Sequence, residues 1–422
     1  PVAEAPLMDI AELRAYPLSS PIDPPQERSF LGGVRTLHKR DVILLIIETR
    51  DGEIGVSTAG ASSSAMREYF EDASHETFAE VLAGPVSDAL TGRDIEDPAA
   101  ASPLVDKVGL PEHLGNQAVA AVNIALYDLL GKEHGAPVYD LLPSESSPTT
   151  RLPLYASAGM YMDPEGFAEQ AALLESQGFV GYKYRPGRGM AEDRRTVEAI
   201  REAVGPDMGI MIDAHTWWKL GENSYGFQGV ADLAQSVEEF DVYWLEEPVA
   251  PDDYEGYRRL AHETAIPLAG GESEASPEGL MALADTGGVR FLQGDVRHHR
   301  GFTGCWRAVE HCLGTDVKYV PHNFGTLIGL VSNAHLTAAA PESDLLEYPV
   351  FERDPYLTAD GDPGMYPFDL AFDILDSPLD IDNGHLDVPS GPGLGIDLNM
   401  DVIDDYPHID GPWTTFEYAN TD

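Results

Sequence analysis

Between residues 152 and 349 the chain repeats one motif eight times: a short apolar run, then a polar residue, then a stretch with helical periodicity. The runs are LPLYASA, VGYKY, GIMIDA, VYWLEE, PLAGGE, RFLQGD, VKYVPH and DLLEYP. Helical spacing of apolar residues follows at 166–177, 191–204, 229–239, 254–263 and 302–313. Strands separated by single helices pair in parallel, and eight of them at roughly 25 to 35 residue spacing predict a closed (β/α) barrel of the TIM type. An open doubly wound sheet is the competing α/β arrangement. It is disfavoured because no Gly-rich phosphate loop follows the first strand.

The flanks differ from this core. DVILLIIETR, DGE and IGVSTAG predict strand, turn and strand over 34–60, and QAVAAVNIALYDLLGKEHG predicts a long helix stopped at Gly135. LPSESSPTT at 142–150 reads as a linker. The expected division is an N-terminal α+β domain over 1–150, the barrel over 151–350, and a C-terminal segment over 351–422 that packs back on the first domain. That last segment is rich in Asp, Pro and Gly, so a loose acidic tail is the alternative; Leu370, Phe372, Ile374 and Leu375 argue for burial.

Composition narrows the function. Asp and Glu number 72 against 26 Lys and Arg, a formal charge of −46, which excludes a nucleic-acid grip by bulk charge. Only six of the basic residues are Lys, and the acids run along the whole chain. This is the pattern of a salt-adapted protein, whose self-repulsion acts over about 10 Å in 0.1 M salt and about 3 Å in molar salt. The two cysteines, Cys305 and Cys312, are seven residues apart on a predicted helix, so their Cα atoms are roughly 10 Å apart and out of disulfide reach. With no 18-residue apolar run and no charged-then-apolar leader, a soluble cytoplasmic protein without a membrane partner is expected.

In a parallel barrel the C-terminal strand ends share one mouth, so the residues ending successive runs form a ring. That ring reads Lys183 and Arg185, Asp213 and His215, Glu246 with Glu247, Glu272, Asp295, His322 and Glu347. Asp213, Glu246 and Glu272 offer hard oxygen ligands without thiolate, suited to Mg²⁺ more than to zinc. Asp295 and His322 end neighbouring strands and can form a dyad in which the carboxylate orients the imidazole; a structural His is the alternative. His215 either reaches the same cavity or stacks on Trp217 or Trp218. Arg35, His38, Lys39 and Arg40 form a basic cluster that either attracts an anionic substrate or balances a strand edge.

The series YKYR, MIDAH, YWLEEP, GGES, QGD, PHN and LEYP resembles the enolase superfamily, in its mandelate racemase subgroup. The resemblance spans nearly the whole chain. It implies a modified barrel under an α+β capping domain built from both chain ends, with substrate-selecting loops near 30–40 and 56–66, and often a homo-oligomer. It further implies Mg²⁺ on Asp213, Glu246 and Glu272, a general-base dyad of Asp295 and His322, and Glu347 near the developing oxyanion. Many members carry two lysines separated by one residue where this chain has Lys183 and Arg185. Arginine stays charged and forks onto carboxylates, so proton transfer on that face is weakened and elimination is favoured over racemisation. The His of the DAH segment, His215, resembles the general acid of sugar-acid dehydratases. The implied activity is a hydro-lyase that converts an aldonate or aldarate to a 2-keto-3-deoxy acid; a racemase, epimerase or cycloisomerase acting on a carboxylate is the alternative.

Overall fold

In the computed structural model of the 422-residue chain, residues 8–30, 33–60, 69–70, 73–160, 162–215, 225–357 and 364–418 are described. All eight predicted barrel strands form, at Arg151–Met160, Gly181–Arg185, Gly209–Asp213, Val242–Glu246, Leu268–Gly270, Phe291–Leu292, Lys318–Tyr319 and Leu346–Pro349. Consecutive strands pair in parallel from the first to the seventh, and the eighth pairs with the first. No ladder joins the seventh to the eighth among the described residues. Side-chain bonds bridge that seam instead: Ser343 Oγ donates to the Tyr319 carbonyl at 2.7 Å, and Glu347 Oε2 accepts the Asn323 backbone N–H at 2.9 Å. The barrel-like interior is filled below the mouth by Tyr155, Met211, Trp244, Ala269, Val320 and Leu345.

Helices cover the outside. Asp163, Asp253 and Ser276 accept backbone N–H groups at the starts of Pro164–Ser176, Tyr254–Glu263 and Pro277–Asp285, which fixes where each helix begins. Cys305 and Cys312 lie on Gly301–Cys312 as separate buried thiols. Leu327–Ala339 is buried at every position, so its sequence carries no amphipathic stripe.

The capping domain is a sheet backed by helices. The predicted hairpin forms as Gly33–Thr49 and Ile54–Ala59. An unexpected long strand, Met8–Phe30, pairs with it; its register shifts between Pro21 and Gln26, where prolines cannot donate to a ladder. The C-terminal strand Thr414–Tyr418 pairs with Gly33–Leu37, so both chain ends build this sheet. Alternation along the central strand divides its side chains. Ile43, Leu45 and Ile47 pack with the capping helices, whereas Val42, Leu44 and Ile46 join the core that runs into the barrel. The predicted long helix is Glu112–His134, ended by Gly135 at φ 63°. It lies so close to Ile54–Ala59 that a Cβ on Gly55 would meet the Ala125 carbonyl oxygen at 2.0 Å.

Leu370, Ile374 and Leu375 are buried, and the C-terminal segment packs on the cap and the barrel alike. The expected selecting loops are corrected in part: 33–40 and 56–59 belong to strands, and 56–59 are buried throughout. Residues 31, 32 and 61–66, Trp217 and Trp218 lie outside the described residues. No helix among the described residues is long and apolar enough to cross a membrane.

Candidate active site

Strand register sets the ring of polar groups. Asp213 stands directly beside Glu246, and Glu347 beside Tyr155, because those pairs are partners in parallel ladders. Asp213, Glu246, Glu272, Asp295, His322, His215, Lys183 and Glu347 are all buried at the mouth. Arg185 is partly exposed there.

One chain of contacts crosses the mouth. Arg185 Nε lies 2.6 Å from Asp213 Oδ2, and Asp213 Oδ1 lies 2.6 Å from His215 Nδ1. His215 Nε2 lies 3.2 Å from Glu272 Oε1, and Glu272 Oε2 lies 3.2 Å from His322 Nε2. His322 Nδ1 lies 3.0 Å from Asp295 Oδ2, and Arg297 Nη2 closes the chain at 2.5 Å from the same oxygen. Beside it, Lys183 Nζ bridges Glu246 Oε1 at 2.5 Å and Glu347 Oε1 at 2.7 Å.

The charges respond to this geometry. Burial opposes ionisation of Asp213, yet Arg185 and His215 hold it well below the usual carboxylate range. Burial likewise opposes charge on His322, but Glu272, the bond to Asp295 and nearby Glu347 raise it to about 9. Burial would strip Lys183 of its proton, and the carboxylates of Glu246 and Glu347 reverse that, raising it. Glu246 is pushed up to about 7, first by burial and then by crowding from Asp213, Glu347 and Glu272, against the pull of Lys183.

The donor set fits a hard divalent cation. It has three carboxylates and no thiolate, burial and then crowding have raised Glu246, and Glu272 Oε2 is buried with the His322 imidazole 3.2 Å away but no hydrogen bond. The three are paired with Lys183, Arg185 and His215, and their oxygens are not drawn together within 4.8 Å; Glu76, His408 and Asp410 are the group at that separation among the described residues. Two of those three are exposed.

Several groups here escaped sequence reasoning. Gln293 Nε2 and Trp244 Nε1 both donate to Glu246 Oε2, at 2.7 and 3.0 Å. Asn333 Nδ2 donates to Asp295 Oδ1 at 3.1 Å. Gln117, on the long capping helix, reaches His298 Nδ1 at 2.9 Å, and His298 Nε2 lies 3.8 Å from Asp295. Gln293 and Arg297 sit two residues either side of Asp295 and His298 three beyond it, all past the strand Phe291–Leu292, so closeness in sequence to Asp295 was their available signal. Gln117 and Asn333 carry no such signal.

A polar ring at the C-terminal end of a (β/α) barrel, covered by an α+β cap, defines a class of enzyme that works on small molecules at that mouth. Residues 22–143 match the mandelate racemase / muconate lactonizing enzyme N-terminal domain, and residues 166–402 match the enolase C-terminal domain-like family. The chain belongs to the enolase superfamily, in its mandelate racemase subgroup.

It is 31% identical to the D-galactarolactone cycloisomerase of Agrobacterium fabrum over 68% of this chain and 73% of that protein. It is 28% identical to the arabinonate dehydratase of Saccharolobus solfataricus over 68% and 71%, respectively. A N-succinyl-L-Arg/Lys racemase of Bacillus cereus is 24% identical over 94% of this chain and 97% of that one. Among solved structures, the 3,6-anhydro-D-galactonate cycloisomerase of Zobellia galactanivorans superposes with a TM-score of 0.74 at 27% identity, covering 94% of this chain and 99% of that one. A mandelate racemase/muconate lactonizing enzyme of a marine actinobacterium, solved in complex with magnesium, has a TM-score of 0.73 at 25% identity over 95% and 99%.

Proposed function

We propose that this chain is a Mg²⁺-dependent sugar-acid dehydratase, removing the α-proton and β-hydroxyl of an aldonate or aldarate to give a 2-keto-3-deoxy acid. The carrying observation is that two imidazoles, each backed by its own carboxylate, face opposite oxygens of Glu272. His322 is backed by Asp295 and His215 by Asp213. Such a pair supplies a base and an acid in one cavity.

Asp213, Glu246 and Glu272 would hold the cation. When bound, magnesium would offset the carboxylates that raise His322 and stabilise negative charge developing on the substrate carboxylate. His322, oriented through Nδ1 by Asp295, takes the α-proton on Nε2. His215 delivers a proton to the departing β-hydroxyl, which leaves as water, and the resulting enol tautomerises to the 2-keto acid. Glu347, held by Tyr155, Asn323 and Lys183, lies beside the developing oxyanion. Lys183 is engaged by two carboxylates and Arg185 stays charged, so neither is a free base for the opposite face of the α-carbon. That favours elimination over racemisation.

A cycloisomerase is the second reading, favoured by the 31% identity to one. The deciding experiment incubates the protein with a panel of aldonic and aldaric acids and Mg²⁺ in molar KCl, and measures 2-keto acid formation and α-proton exchange in heavy water. Dehydration yields keto acid that stops on chelation and returns with Mg²⁺. Exchange without keto acid points to the cycloisomerase or racemase reading. Absence of both across the panel removes the proposal.

A further inference from the structure

The basic cluster on the central capping strand is not used by the reaction above, and one member stands apart. Three arginines are buried among the described residues: Arg35, Arg40 and Arg297. Arg35 Nε donates to Thr414 Oγ1 at 3.0 Å, and Arg297 donates to Asp295 and to the Phe324 carbonyl. Arg40 is 7% exposed and its Nε is buried with no acceptor. The adjacent acid, Asp41, is on the other face of the strand, where it takes Ser19 Oγ at 2.6 Å and Lys39 Nζ at 3.1 Å.

Arg40 belongs to the row that continues as Val42, Leu44 and Ile46, the face turned toward the barrel. Its guanidinium lies 5.3 Å from the centre of the Phe324 ring, 4.8 Å from Trp413, and 5.8 Å from each of Tyr366 and Phe368. Phe324 is two residues beyond His322, and Arg185, which pairs with Asp213, lies 6.0 Å from the same ring. Two guanidiniums therefore lie near one ring, Arg40 from the cap and Arg185 from the mouth. Aromatic faces hold a cation in place but accept none of its N–H bonds well, and a buried guanidinium cannot shed its charge. Among the described residues no carboxylate bonds this guanidinium; Asp41 acts on it only from the other face of the strand.

We propose that Arg40 binds a second carboxylate at the far end of the substrate, so that the site selects an aldarate, a dicarboxylate, over the matching aldonate. This rests on the sugar-acid reading above and names the substrate class within it. A fork of charged hydrogen bonds in an apolar box discriminates strongly, because the monoacid leaves the guanidinium unpaired.

Thermal-shift titration of the full chain with Mg²⁺ in molar KCl tests this, using galactarate, glucarate and mannarate against galactonate, gluconate and mannonate. The best diacid is expected to bind about 10 to 100-fold tighter than its monoacid, the range of one charged hydrogen-bonded contact. In Arg40→Met that ratio collapses toward one. Arg40→Lys retains the charge in its aromatic box without the fork, and its ratio falls between the two, which decides the matter if the Met variant fails to fold. Parity between diacids and monoacids in the unaltered protein, or a ratio untouched in the variants, overturns the assignment. Arg40-dependent diacid binding without keto acid sinks the dehydratase reading alone, whereas keto acid formed equally from monoacids sinks the diacid assignment alone.

Discussion

Arg297 forks onto Asp295: Nη2 lies 2.5 Å from Oδ2 and Nε 3.1 Å from Oδ1. Burial opposes charge on Asp295, and Arg297, His298 and His322 together hold it well below the usual carboxylate range. The carboxylate behind His322 is thus clamped in place. Lysine offers a point charge without the fork, so Arg297→Lys is expected to lower kcat about 10-fold while KM changes little, the signature of a misaligned base. Steady-state kinetics and the α-proton exchange rate check this; equal loss in KM points to a binding role instead.

The two imidazoles separate by what their loss does. His322→Asn is expected to abolish keto acid formation and α-proton exchange together, each by about 10² to 10⁴-fold. His215→Asn loses dehydration far more than exchange, because exchange needs only the base. Proton NMR in heavy water alongside a keto acid assay reads both. Near-normal turnover in His322→Asn contradicts the dyad.

His335 reports on acid stability away from the mouth. It accepts the Tyr139 N–H on Nδ1 and donates from Nε2 to the Leu394 carbonyl, joining barrel helix, cap and C-terminal segment. Burial pushes it down to about 4, below its ordinary value of 6.5. The unfolded chain therefore binds this proton first as pH falls, so stability is lost between about 6.5 and 4 and the loss levels off below. Comparison of melting temperatures at pH 7 and pH 5 is expected to show a smaller acid drop in His335→Gln than in the unaltered protein. An equal drop assigns the acid sensitivity elsewhere.

A formal charge of −46 predicts that folding depends on salt. Shortening the screening length from about 10 Å to about 3 Å removes most repulsion between surface carboxylates. The melting temperature is expected to rise by several degrees between 0.1 M and molar KCl, and a flat profile by calorimetry contradicts this.

Much of the barrel was legible because each strand falls on a short apolar run with a polar residue at or near its C-terminal end. Asp213 and Glu246 could be placed side by side from that pattern alone, and the register agrees. The strand Met8–Phe30 was not legible, since its prolines and mixed polarity obscure alternation that pairing with Gly33–Thr49 imposes. The helix Leu327–Ala339 was hidden because burial on all sides erases its periodicity.

Local chemistry determined which polar residues follow each apolar run, because apolar content and turn signals act over a few positions. It therefore supplied Asp213, Glu246, Glu272, Asp295, His322 and Glu347 as a ring. Of these, only Asp213 and Glu246 end strands in the structure; Glu272, Asp295 and His322 lie two or three residues past theirs, and Glu347 stands inside Leu346–Pro349. Only the tertiary structure decided their partners. Arg297 on Asp295, Gln117 beside His298, and the box of Phe324, Tyr366, Phe368 and Trp413 around Arg40 unite side chains up to hundreds of residues apart. Such neighbours arise from closing the barrel and folding both chain ends over it, and no local pattern encodes a distance between separate elements.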